Sequence, residues 1–174
     1  MKKNYKQFLF VLIIGCFSNI QAQVTGVKNI PTDFPTLEAV ILALNTSGVG
    51  AGGATINLPA GYTESATGSL VLTMAINPSS VSRPLVFQKS GAGANPVITA
   101  FTGTSTTLDA LFVLNGVDYV TIDGIDLIEN VANTNATQQM EYGYALLKTS
   151  ATNGSQNNTI KNCVVTLNKA NTAS

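Results

Sequence analysis

The sequence predicts an all-β chain wound as a solenoid of parallel strands, preceded by one α-helix. Three observations predict it. A single amphipathic helical pattern occupies residues 36–45, and no second one follows. Beyond Gly53, short β-prone runs alternate with Gly, Pro, Asn and Asp turn chemistry. The stretch DYVTIDGIDLIEN, Asp118 to Asn130, sets two apolar alternations, Val120/Ile122 and Ile125/Leu127, on either side of an Asp-Gly pair without closing an ordinary hairpin. A corner that turns the chain without reversing it accounts for that pattern, and it lets the next coil stack in register below.

The first residues are read as an export signal. Lys2, Lys3 and Lys6 precede an apolar run at 8–17 that is too short to span a bilayer, and the polar stretch Ser18-Asn19-Ile20-Gln21-Ala22 follows. This order marks a secretory signal peptide, residues 1–22, cut after Ala22. Ile13-Ile14-Gly15-Cys16 also resembles a lipobox, in which Cys16 would carry a lipid anchor. The apolar run continues through Phe17 and Ala22-Gln23 is a good ordinary site, so plain secretion to the extracellular space or outer cell surface is the preferred reading.

Residues 23–174 then form one domain, with six basic residues against nine acids and a net charge of −3. Phosphate binding needs clustered Lys and Arg, so nucleic acid is not an expected partner, and no transmembrane span is expected either. One cysteine, Cys163, remains, so no internal disulfide can form and the domain must be held by its own packing.

The helix is justified by Leu37, Val40, Ile41 and Leu44 at i, i+3, i+4 and i+7, which line one face. Thr36 caps its start, Glu38 suits the positive first turn, and Pro35 keeps Phe34 extended. The run SGVGAGGAT ends it and is read as a linker. It follows a helix instead of preceding one and lacks the Gly-Lys-Ser/Thr of a phosphate loop.

Strands are expected at 54–58, 70–76, 85–88, 97–101, 110–114, 119–122, 125–128, 144–148 and 159–167. Residues 110–127 can be laid on 145–167, so that Thr121-Ile122 meets Thr159-Ile160, Gly124 meets Asn162, Ile125 meets Cys163 and Ala110 meets Ala145. The polar segment 130–141 reads as a loop pushed out of the coil. Gly124 and Asn162 are residue types that tolerate positive φ at the corner. Cys163 falls in the inward phase with Val165 and Leu167, and a buried cysteine behaves as a small hydrophobe. The runner-up fold is a β-sandwich, which would pair consecutive strands antiparallel.

DFPTLEAVILAL, then GGATINLPAGYTES, then VDYVTIDGIDL together resemble the start of a right-handed parallel β-helix of the pectate-lyase-like superfamily. The resemblance covers nearly all of 30–169 and implies an N-terminal helix plugging the open end of the solenoid. Its motifs specify a fold and not a reaction. Within the superfamily the chain is most similar to Asn/Thr-rich surface and secreted proteins of Gram-negative bacteria. No cap candidate follows 159–169, so either further rungs of a longer solenoid beyond residue 174, the preferred reading, or a partner covering the end is expected.

The resemblance also frames the candidate site. Such proteins place carboxylates on an exposed sheet face to bind calcium or act as acid and base, which singles out Asp118, Asp123, Asp126 and Glu129 around one corner. Their structural alternative is to be the outward partners of Ile122, Ile125 and Leu127. A catalytic set is not evident, because the domain has one arginine, Arg83, in a different turn and no histidine. Tyr142 and Tyr144 are the best of the tyrosines for stacking on sugars if exposed, against packing beneath the loop. Two functions stay open: a non-catalytic solenoid binding a polysaccharide or cell-surface partner, and the N-terminal part of a polysaccharide lyase or glycoside hydrolase with catalytic rungs beyond residue 174. No cofactor is evident apart from calcium, should the acidic corner be a site.

Overall fold

The structure is a computed structural model that describes residues 22–104, 109–136 and 138–168; the expected signal sequence and Cys16 lie outside it, except for Ala22. The chain runs β1 (Val24–Asn29), α1 (Leu37–Ser47), β2 (Val49–Pro59), β3 (Thr63–Ser65), β4 (Leu70–Leu72), β5 (Leu85–Ser90), β6 (Val97–Thr99), β7 (Ala110–Asn115), β8 (Val120–Asp123), β9 (Asp126–Ile128), β10 (Tyr142–Leu147), β11 (Thr159–Lys161) and β12 (Val165–Thr166). Three sheets collect every third strand. The first is β1-β2-β5-β8-β11, the second β3-β6-β9-β12, and the third β4-β7-β10. Every strand pairing in them is parallel. The molecule is therefore a parallel β-solenoid: β2-β3-β4, β5-β6-β7 and β8-β9-β10 are three full coils, and β11-β12 opens a fourth. The antiparallel pairing of a β-sandwich is absent from these sheets.

Stacking in register is what builds the core. Ala54, Leu85 and Val120 lie in one inward column of the first sheet and Ile56, Phe87 and Ile122 in the next, all buried. Ile98 and Leu127 supply the second sheet; Leu70 and Phe112, and Leu72 and Leu114, supply the third. The Phe87 and Phe112 rings meet edge to face with centroids 5.7 Å apart across the interior. Each such side chain contributes about 1.5–3 kcal/mol by leaving water, so columns of identical phase favour one register over its neighbours.

Helix α1 takes the place of two strands in the first coil. Leu37, Val40, Ile41 and Leu44 are buried against the core, as their spacing predicts. Thr36 Oγ1 accepts from the Ala39 amide at 3.1 Å, and Gly48 ends the helix at φ 73° with its N–H on the Leu44 carbonyl. Side chains close the strand edges that the helix leaves open. Asn45 Oδ1 accepts from Thr73 N at 2.8 Å while its amide donates to the Val71 carbonyl at 2.7 Å, and Glu38 Oε1 accepts from the Thr67 amide and hydroxyl. Among the described residues no helix is long and apolar enough to cross a membrane.

Several expectations need correction. The glycine run is no linker: Val49 to Gly53 opens β2, and Val49 pairs with Val24 of the unforeseen strand β1. Glycine is required there because a Cβ on Gly53, at φ +88°, would lie 2.4 Å from the Pro84 carbonyl oxygen of the coil below. Strand β3 was not expected, and 70–76 stops at Leu72 before Met74 adopts a positive φ. The pairs Thr121–Thr159 and Ile122–Ile160 hold, but Ala110 pairs with Tyr142, and Ala145 with Val113. The extra residues between β10 and β11 sit in the turn after Leu147, so one offset cannot serve the whole coil.

Candidate functional site

The corner between the first and second sheets recurs from coil to coil, and its residues build a polar recess. Strand β8 ends at Asp123, Gly124 turns at φ 69°, and β9 begins at Asp126. One coil on, Lys161 pairs with Asp123, and Asn162 turns at φ 57° in the place of Gly124. One coil back, the corner is longer, running from Gly91 to Pro96, and folds Asn95 over Gly124.

These side chains form a connected set. Asn162 donates its amide to Asp123 Oδ1 at 2.7 Å, and Lys161 Nζ lies 3.2 Å from Asp123 Oδ2. Asn95 donates both to Asp126 Oδ1 at 2.8 Å and to the Asn162 carbonyl at 2.9 Å; Asp126 Oδ1 also accepts the Val164 amide at 2.8 Å. Chiefly the Asn162 amide, with Lys161 and Lys89 behind it, holds the Asp123 carboxyl below the usual carboxylate range, against an opposing effect of burial. Gln88, Lys89, Asn95, Asp123, Gly124 and Asn162 line a recess of about 280 Å³.

The recess lies at the end of a polar row. On the outer face of the first sheet, Asn29, Asn57, Gln88, Asp123 and Lys161 stand in register, one per coil. Asn57 donates to Asn29 Oδ1 at 3.1 Å and Gln88 to Asn57 Oδ1 at 3.1 Å. Beside it runs a second outward row, Val27, Thr55, Val86, Thr121 and Thr159.

Of the expected site residues, Asp123 and Asp126 come together here, joined through Asn95 and Asn162. Asp118 belongs to a different corner, between the third and first sheets, where its carboxylate accepts the Gln156 amide at 2.6 Å and its carbonyl accepts the Ser79 hydroxyl. Glu129 organises the loop after β9, accepting from Asn130 N at 3.2 Å, Asn133 Nδ2 at 2.7 Å and Met140 N at 3.0 Å. It also borders a larger recess of about 440 Å³ that Ile128, Val131 and Leu167 make apolar. Tyr142 opens β10 and is exposed. Tyr144 points inward: its ring lies 5.8 Å from that of Phe112 and its hydroxyl donates to the Ile125 carbonyl at 2.8 Å. Burial, and then Cys163, push that hydroxyl's pKa up. Cys163 itself is half-buried against the core as a free thiol, with the Ile125 amide 3.4 Å from Sγ.

Gln88, Lys89 and Asn95 were not singled out by sequence. Gln88 could have been found from the register of β5 on β8; Asn95 carries no such signal, because it arrives through an irregular corner. Asn162 takes the positive φ expected of it at the corner, and its amide goes to Asp123. A ladder of side-chain amides runs through Asn29, Asn57 and Gln88.

No protein-family model, curated protein or solved structure matches this chain.

Proposed function

We propose that the protein is an exported, non-catalytic solenoid that binds a glycan of a polysaccharide or cell surface along its outer face. The observation that carries this reading is the polar row Asn29, Asn57, Gln88, Asp123, Lys161, with Thr55, Thr121 and Thr159 in the mixed row beside it. Parallel strands stand 4.7–4.9 Å apart, so the row offers donors and acceptors at a repeat close to the length of one sugar unit in an extended chain. Straight rows on a stiff core bind with little ordering cost, which favours a repetitive ligand. The resemblance to secreted β-helix proteins and the signal-like residues 1–22 support the exported location. Asp123 is tied to Asn162 and Lys161, and Asp126 to Asn95 and Val164, an arrangement suited to holding shape more than to moving protons.

Screening the purified protein on an array of polysaccharides and bacterial surface glycans tests the proposal. Saturable binding to at least one extended glycan, without any change in its chain length, is expected. Cleavage of the glycan, or no retention on any of them, overturns it.

A further inference from the structure

The proposed glycan reading leaves open where on the row a sugar ring is held and of what charge. We infer that the corner recess formed by Gln88, Lys89, Asn95, Asp123 and Asn162 seats one uncharged sugar unit. This inference rests on the glycan reading and adds a place and a ligand charge to it.

The first argument is the balance of charge. Asp123 and Asp126 are matched by Lys89 and Lys161, and Lys161 Nζ already lies 3.2 Å from Asp123 Oδ2. A calcium ion would have to displace that ammonium from the carboxylate it needs. An acidic sugar would set its charge beside two carboxylates. A neutral ligand meets neither cost.

The second argument is the set of bonding groups. Asn95 uses its amide nitrogen on Asp126 and on the Asn162 carbonyl, so its Oδ1 is turned toward Gly124, where a Cβ would lie 3.3 Å from it. Asn162 uses its amide nitrogen on Asp123, and Gln88 uses its own on Asn57. Each of these three amides therefore has its carbonyl oxygen left to accept. Lys89 Nζ donates to the Gly93 carbonyl at 3.1 Å and has two further N–H groups. Acceptors gathered around one multivalent donor complement adjacent hydroxyls, each of which donates once and accepts. Glycine at position 124 keeps the floor open for the ring, and the Asn162 amide holds the Asp123 carboxyl below its usual range, which favours its ionised, accepting form.

The test measures binding of the purified protein to neutral glucan, mannan and galactan oligosaccharides, to an oligouronate, and to calcium chloride alone, following side-chain amide NMR signals. Shifts of the Gln88, Asn95 and Asn162 amides with one neutral oligosaccharide are expected, and Lys89→Ala and Gln88→Ala should each weaken binding about tenfold. Leu42→Ala, on the exposed side of α1, should leave it unchanged, and melting temperatures of all variants show that the fold is kept. If a neutral glycan binds while both corner variants match the parent, the recess is the wrong place although the glycan reading stands. If only the oligouronate or calcium perturbs the amides, the uncharged ligand is wrong. If nothing binds anywhere, the glycan reading falls as well.

Discussion

Glu64 shows how single residues resolve conflicts between pattern and place. It pairs with Ile98 in a column that is otherwise inward and apolar, yet its carboxylate accepts the Leu37 amide at 2.7 Å, the Glu38 amide at 3.2 Å and the Tyr62 hydroxyl at 2.6 Å. The first turn of a helix has amides with no partner of its own and a partial positive charge, so an acid from another coil is stabilised there. Glu64→Ala should cost about 1–3 kcal/mol in urea unfolding, because the helix amides lose their partner; an unchanged midpoint would remove Glu64 from the cap. Gly124→Ala places a side chain at positive φ and within 3.3 Å of Asn95 Oδ1, and should cost about 1–2 kcal/mol while disturbing the recess. Together with Tyr62, whose hydroxyl pKa burial also raises, Tyr144 contributes to the alkaline limit. Its pKa is raised in the folded state, so the stability it contributes is present below about pH 10, the unfolded value, and is lost as pH rises above it. Tyr144→Phe should flatten the fall in melting temperature above that pH; an equally steep fall would assign it to other groups.

At the scale of elements, what could be read from the sequence was whatever depends on local periodicity. Leu37, Val40, Ile41 and Leu44 announce a helix by spacing alone, and Thr36 announces where it starts. The Thr121–Thr159 register was legible because both coils carry Thr-Ile ahead of a corner. Strand β3 has three residues and one of them is Glu64, while the first half of β2 is mostly glycine, chosen for close approach to β1 and Pro84 and silent about strand propensity. The site was legible in its acids and in the corner residues Gly124 and Asn162, and not in Gln88, Lys89 or Asn95. Leu85 and its partner Val120 are 35 residues apart, Val97 and Asp126 are 29, and Leu70 and Phe112 are 42, so corners of unequal length hide which side chains share a column. The plug itself is testable: Leu44→Ala should cost about 2–5 kcal/mol, since Leu44 is one of the fully buried side chains by which α1 covers the coil β2-β3-β4, and a cost below about 1 kcal/mol would mean that this contact does not hold the helix in place.

Over the whole molecule, direction of stacking matters more than any one contact. Parallel coils place residues far apart in sequence at neighbouring positions, and that alone creates the inward columns, the outer polar row and the corner recess. An antiparallel arrangement of the same strands would scatter Asn57, Gln88, Asp123 and Lys161 and leave no row for a ligand to follow. The most direct measurement is therefore a map of interstrand nuclear Overhauser contacts between backbone protons. Contacts that step from Thr55 to Val86 to Thr121 to Thr159, with none pairing β8 against β9, are predicted. Contacts that pair β8 with β9 or β7 with β8 in opposite directions would contradict the solenoid and the binding face built on it.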